Sequence, residues 1–153
     1  MSGLFDPLTV RGLTLRNRIM TTSHEPAYGE DGMPKDRYRL YHLERAKAGC
    51  AMVMTAGSAS VSRDSPPVFT NLLVWKDEVV PWMKRLTDDC HEAGAAVMIQ
   101  LSHIGRRTRW DKGDWLPVLA AGPTREPSHR AFPKVMEDWD ISRVVKDYAD
   151  AAE

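Results

Sequence analysis

Residues 96–107, AVMIQLSHIGRR, are an apolar run interrupted by one amide, Gln100, that opens into a polar Ser-His-Ile-Gly-Arg-Arg tail. A run this short, placed just after Gly94 closes a helical pattern, predicts a buried strand of a parallel sheet. An amide buried in such a strand costs free energy unless something hydrogen-bonds it. A carboxamide offers two donors and an acceptor, which suits the edge of a planar heterocycle with alternating C=O and N–H groups. A carboxamide bonding backbone at the strand end satisfies the same pattern, and this stretch alone leaves both readings open.

Working outward, the same alternation of elements recurs. Residues 4–15 hold two short apolar runs around Arg11-Gly12, a hairpin turn that reads as an N-terminal lid. Residues 19–23 predict a short strand, followed by a loop with Gly29, Gly32 and Pro34. A helix is predicted over 35–48, with Leu40, Leu43 and Ala46 on its apolar face, Tyr38 and Tyr41 widening it, and Gly49 as C-cap. Residues 51–56, AMVMTA, predict a second buried strand. Asp77 is placed to cap a helix whose face is Val79, Met83, Leu86 and Cys90, with Pro81 tolerated in the first turn and Gly94 ending it. After the third strand, over 96–101, a proline-rich loop of about 105–138 is long enough to suggest function. Ser142 then caps a last helix carrying Val144, Val145, Tyr148, Ala149 and Ala152.

Composition narrows the function classes. The 153 residues are 42% hydrophobic and 27% charged, as in an ordinary globular protein with one core. Twenty-one basic and twenty-one acidic residues cancel, so no global charge points to nucleic acid or an anionic membrane. No apolar run approaches the roughly 20 residues that span a bilayer, and no signal-peptide pattern opens the chain, which reads as a cytoplasmic protein. Cys50 and Cys90 have no C-x-x-C spacing and no histidine completing a zinc set; they read as buried free thiols, with no metal site expected.

Strand, helix, strand, helix, strand, helix with apolar strands argues for an α/β fold with a parallel sheet. A dinucleotide-binding unit needs G-x-G-x-x-G after its first strand, where TTSHEPAYGEDG stands instead. In an eight-stranded (β/α)8 barrel, chemistry gathers at the C-terminal strand ends. All three strands here end in small or polar groups: Thr22, Ser23, His24 and Glu25; Ala56 and Gly57; Gln100, Ser102 and His103. A barrel takes about 250 residues, so the expectation is an N-terminal portion of a TIM (β/α)8 barrel, about three βα units plus the hairpin, cut within the third helix.

Leu4-Phe5-Asp6-Pro7-Leu8, Leu15-Arg16-Asn17-Arg18-Ile19, Ser23-His24, Thr55-Ala56-Gly57 and Gln100-Leu101-Ser102-His103-Ile104-Gly105-Arg106 follow one another in an order that resembles the N-terminal part of the old yellow enzyme superfamily. Its members are FMN-dependent (β/α)8 barrels. The Ser-His strand end and the Arg-Gly-Leu-Thr-Leu-Arg-Asn-Arg opening are similar to the branch that contains 2,4-dienoyl-CoA reductase, trimethylamine dehydrogenase and N-methylproline demethylase-like proteins. Ser23 to Tyr28, with Gly113-Asp114-Trp115-Leu116-Pro117, resembles the demethylase-like group most.

The resemblance implies that Thr22, Ser23, His24 and Glu25 lie against the isoalloxazine, that Ala56 and Gly57 pass beneath it, and that Gln100 bonds its pyrimidine edge. His24 also reads as a structural histidine. Where trimethylamine dehydrogenase carries the cysteine bonded to FMN, Glu25 stands here, which excludes covalent attachment at this place; its carboxylate could attract a cationic amine or pair with an arginine. Tyr28 reads either as substrate wall or as packing. His103 and Arg106, with Arg107, could meet an anionic substrate group or form a solvated turn that includes Arg109. The family's main catalytic motif lies beyond residue 153, so no catalytic residue is assigned.

Three functions follow: oxidative demethylation of a small N-methylated amine such as N-methylproline, reduction of an enoate or 2,4-dienoyl-CoA, or a non-catalytic barrel fragment. For a full-length protein the resemblance allows a [4Fe-4S] centre, FAD or NAD(P)H, and a homo-oligomer, with the rest of the barrel completing the small-molecule site.

Overall fold

The computed structural model describes residues 3–55, 57, 59–65, 68–107, 116–128 and 132–153. The expected hairpin forms from β1 (Leu8–Val10) and β2 (Leu13–Leu15), antiparallel, with Val10 opposite Leu13. Both turn residues take positive φ, 45° at Arg11 and 88° at Gly12, which matches the twist of a two-residue hairpin.

Next come β3 (Met20–Thr21), helix α1 (Asp36–Lys47), β4 (Met52–Met54), β5 (Ala59–Ser60), helix α2 (Val79–Glu92), β6 (Ala96–Met98) and β7 (Leu101–Ser102). The parallel sheet runs β3-β4-β6, with Met20 beside Met52 and Met52 beside Ala96. From β4 and β6 the odd-numbered side chains face the helices. Val53 is fully buried with Tyr38 and Ala46 of α1 and Leu86 and Cys90 of α2, and Val97 and Ile99 pack against that cluster. Each aliphatic side chain so buried stabilises by roughly 1.5–3 kcal/mol.

The Leu15-Arg16-Asn17-Arg18-Ile19 stretch works as a clamp. The Arg16 guanidinium donates to the carbonyls of Ala46 (2.6 Å), Cys50 (2.8 Å) and Ala93 (2.9 Å), joining the carboxyl ends of both helices to the strand entry. Asn17 donates to the Gly49 carbonyl at 2.8 Å and accepts from the Ile19 amide at 2.9 Å. The orphan carbonyls that every helix end leaves are therefore met partly by the hairpin's own exit segment.

Several expectations are corrected. Leu40 is 45% exposed, and the buried face of α1 is Tyr38, His42, Leu43 and Ala46. Asp77 makes no cap; Glu78 stands at the N-cap of α2 without a side-chain bond. The loop over 105–138 contains a parallel pair, β8 (Leu119–Ala120) with β9 (Lys134–Val135). Helix α3 (Asp138–Asp150) starts four residues before Ser142, whose hydroxyl bonds the Asp138 carbonyl inside the helix; the Asp140 carboxylate accepts the Glu137 amide (3.0 Å) at its true start. Cys50 and Cys90 are free. Burial, then the Asp89 charge, pushes the Cys90 thiol up to about 11, so it serves packing.

The predicted third strand breaks in two around Ile99 and Gln100, and Gln100 is exposed instead of buried. The physical reason is parity: Gln100 shares the face of Met98, opposite the helices, while Val97 and Ile99 supply the buried face. Opposite this break, β4 carries two extra residues. The Thr55 amide bonds the Met98 carbonyl and the Ala59 amide bonds the Gln100 carbonyl, so a four-residue step on one strand matches a two-residue step on its neighbour.

Candidate functional site

That bulge carries Gly57 out of the sheet and toward both neighbouring strand ends. A Cβ on Gly57 would collide with Gln100 Oε1 and stand 2.8 Å from Ser23 Oγ and 2.9 Å from Ser23 Cβ. Close approach, and not its dihedral angles, favours glycine at 57: a Cβ there would make Gln100 and Ser23 shift. Three residues from three strand ends, Ser23, Gly57 and Gln100, meet at one rim, and the Gln100 carboxamide there is exposed. Thr22 and His24 are exposed on the same strand end. Ala56 lies outside the described residues, as do Arg109 and residues 113–115.

Glu25 is half-buried at the first strand end. Its Oε1 accepts the Ala27 amide at 2.9 Å and its Oε2 accepts Asn71 Nδ2 at 3.3 Å, so these described partners are neutral donors and not an arginine. Burial raises the Glu25 carboxyl above the usual range, against the opposing pull of those two donors and of the His24 charge. The Tyr28 ring meets Tyr41 edge-on at 5.5 Å, and the Arg37 guanidinium lies 3.9 Å from its centre.

His103 is taken up by an ionic cluster. Its side chain is 5% exposed; Nε2 lies 3.2 Å from Asp64 Oδ1, and Nδ1 accepts the Gly105 amide at 3.2 Å, which leaves Nε2 as the donor to Asp64. Asp64 also pairs with Arg143, which bonds Asp147 at 2.7 Å, and Ser62 donates to Asp147. Burial pushes the Asp64 carboxyl up, but the His103 hydrogen bond and the Arg143 charge outweigh it and hold it below the usual range. The Tyr148 hydroxyl accepts the His103 amide at 2.7 Å, so α3 is tied to the end of the third strand twice. Arg106 is exposed on the 3-10 turn Gly105–Arg107 and borders an open groove of about 510 Å³ with His103, Leu119, Met136 and Tyr148.

The family model described as NADH:flavin oxidoreductase / NADH oxidase matches residues 3–153. The chain belongs to that family. Among curated members of this flavin oxidoreductase family, a probable N-methylproline demethylase of Rhizobium meliloti (strain 1021) is 67% identical over 150 residues. A multifunctional alkene reductase/demethylase of Caballeronia cordobensis is 44% identical and an N,N-dimethylglycine/sarcosine dehydrogenase of Chromohalobacter salexigens 40%. These alignments take in 97–98% of this chain and 22% of each relative, so the chain spans about a fifth of their length. Morphinone reductase in complex with tetrahydroNAD superposes with a TM-score of 0.89 at 20% identity, over 99% of this chain and 46% of that one. An old yellow enzyme homologue from Zymomonas mobilis gives 0.86 at 20% identity, over 99% and 44%. At these identities the likeness is one of fold: the first part of a TIM (β/α)8 barrel.

Asn71, Asp64, Arg143 and Asp147 escaped the sequence reading. No motif or spacing marks them; Asn71 and Glu25 are 46 residues apart and Asp64 and Arg143 79 apart, and only the folded chain brings them together.

Proposed function

We propose that this chain is the first part of an FMN-binding (β/α)8 barrel whose full-length protein oxidatively demethylates a small N-methylated amine such as N-methylproline. The observation that carries the reading is the meeting of Gly57, Gln100 and Ser23 at one rim. The missing Cβ at Gly57 lets Gln100 and Ser23 close in at the rim, and the exposed carboxamide there matches a pyrimidine edge that alternates donors and acceptors. These residues fit FMN; Thr22, His24 and, from its place in the sequence, Ala56 complete the surface against the ring. Bound FMN supplies two-electron exchange with a substrate carbon.

The chain's own part is to hold that ring through Gln100 and Ser23 and to receive substrate beside it. Glu25 attracts the ammonium group of the amine, and Arg106 at the groove is a candidate for a substrate carboxylate. Loss of a hydride equivalent from the N-methyl carbon gives an iminium, which water splits into secondary amine and formaldehyde. The 67% identity to a probable N-methylproline demethylase supports this substrate class. A second reading, reduction of an activated C=C in an enoate or dienoyl-CoA, draws on the 44% identity to a multifunctional alkene reductase/demethylase. In the proposal any [4Fe-4S] centre, FAD or NAD(P)H site and homo-oligomer contact belong to the remainder of a longer, cytoplasmic protein; among the described residues no helix is long and apolar enough to cross a membrane.

The test is the visible spectrum of the full-length protein and its turnover of N-methylproline and of a dienoyl-CoA. Bound flavin with formaldehyde release from N-methylproline supports the proposal. Turnover of the dienoyl-CoA alone overturns demethylation, and a flavin-free full-length protein leaves the non-catalytic fragment.

A further inference from the structure

The loops after the first and second strands are locked together, and a buried amide lies at their junction. Asn71 is fully buried, and its Oδ1 accepts the Phe69 amide at 3.0 Å. With the acceptor end occupied by backbone, the NH₂ end is the one turned to Glu25 Oε2, which fixes the orientation of the carboxamide. The surrounding backbone holds both partners in place. A Cβ on Gly29 would strike the Thr70 carbonyl, one on Gly32 would strike the Leu73 side chain, and the Leu73 amide bonds the Gly32 carbonyl at 2.9 Å. Ala27 and Thr70, one beside each partner, take left-handed backbone with φ of 55° and 45°. Non-glycine residues in this region persist where the surroundings impose it, and such strain gathers at functional sites.

We infer that Asn71 is a positioning residue: it holds the Glu25 carboxylate at the end of the first barrel strand, oriented to receive a cationic amine. The inference rests on the demethylase reading in taking the substrate as a cation. Left to itself, a half-buried carboxyl takes up a proton. The Asn71 and Ala27 donors pull against that tendency, as does the His24 charge, and so favour the ionised form where an ammonium group can meet it. Asn71 needs no contact with substrate for this.

Asn71→Asp in the full-length flavoprotein is the decisive variant, because it keeps the acceptor for the Phe69 amide and exchanges the donor for a second carboxyl. Two carboxyls sharing one site raise the titration of the pair by about one pH unit or more. Infrared difference spectroscopy reads that shift directly, without turnover, and the acid limb of kcat/KM for N-methylproline should move with it. The KM for N-methylproline should rise about tenfold relative to that for a neutral cyclic enone. Asn71→Ala, read by calorimetric binding of N,N-dimethylproline, should weaken the cation about tenfold, and the loss should vanish in a Glu25→Gln background. Unmoved carboxyl titration, equal losses for amine and enone, or additive losses in the double variant would overturn the inference. A wild-type protein that reduces the enone and ignores N-methylproline defeats the demethylase reading, while the infrared titration still decides whether Asn71 controls Glu25.

Discussion

His42→Leu asks what a histidine costs when it is buried without a partner. His42 is 2% exposed on the inner face of α1, packed against the tilted ring of Tyr38 (4.8 Å) and edge-on to that of Tyr41 (5.2 Å), and neither ring nitrogen has a hydrogen-bond partner among the described residues. Burial, then the Arg45 charge, pushes it down from 6.5 to about 4. The folded protein therefore keeps His42 neutral over a range where the unfolded chain takes up a proton. Stability is whole above about pH 6.5, declines as pH falls toward 4, and levels off below that at a loss of about 3 kcal/mol from this residue. At pH 4.5 most of that share, about 2–3 kcal/mol, is already lost. Urea unfolding of wild type and His42→Leu, followed by tryptophan fluorescence at pH 7.5 and 4.5, isolates the term, because all carboxylates titrate alike in both. The variant should match or exceed wild type at pH 7.5, since leucine removes two unsatisfied nitrogens, and exceed it by about 2–3 kcal/mol more at pH 4.5. Equal pH dependence in the two proteins would refute the reasoning and mean that the folded state gives the imidazole a proton partner.

Gly57→Ala should lower flavin retention about tenfold or more in the full-length protein, read from visible absorbance after gel filtration, because its Cβ would displace Gln100 and Ser23; exposed Gln100→Leu should weaken retention without moving the thermal midpoint. Arg16→Lys keeps the charge but cannot reach three carbonyls at once, and should cost about 1–3 kcal/mol in urea unfolding. Asp64→Asn leaves Arg143 short of a partner and should cost about 3 kcal/mol at neutral pH; the wild-type advantage should fade as pH drops below the usual carboxylate range, where Asp64 takes up its proton.

The order of elements was legible because Gly49 and Gly94 stop both helices and the faces of α1 and α2 recur at helical spacing. Tertiary context decided the rest. The run AVMIQL reads as apolar on both faces, and only the helix-facing parity of Val97 and Ile99 reveals that Gln100 belongs to the other side. Ser142 and Asp77 have the chemistry of caps, yet Asp140 closes the start of α3 and no side chain closes that of α2. Gln100, Gly57 and Ser23 were expected at one rim and stand there. His103 and Tyr28, offered as substrate contacts, have their rings engaged by Asp64 and by Tyr41.

The two extra residues between Thr55 and Ala59 constrain how this rim can change in length. Because the insertion is even, Ala59 returns to the helix-packed cluster that holds Val53. Gain or loss of a single residue there would invert everything downstream, putting Ser60 in Ala59's place against the helices and taking its hydroxyl from the Ser62 and Ser65 carbonyls it bonds on the other, equally buried side. As long as that core is kept, the strand can be lengthened or shortened only in pairs, and removing this pair would take Gly57 with it.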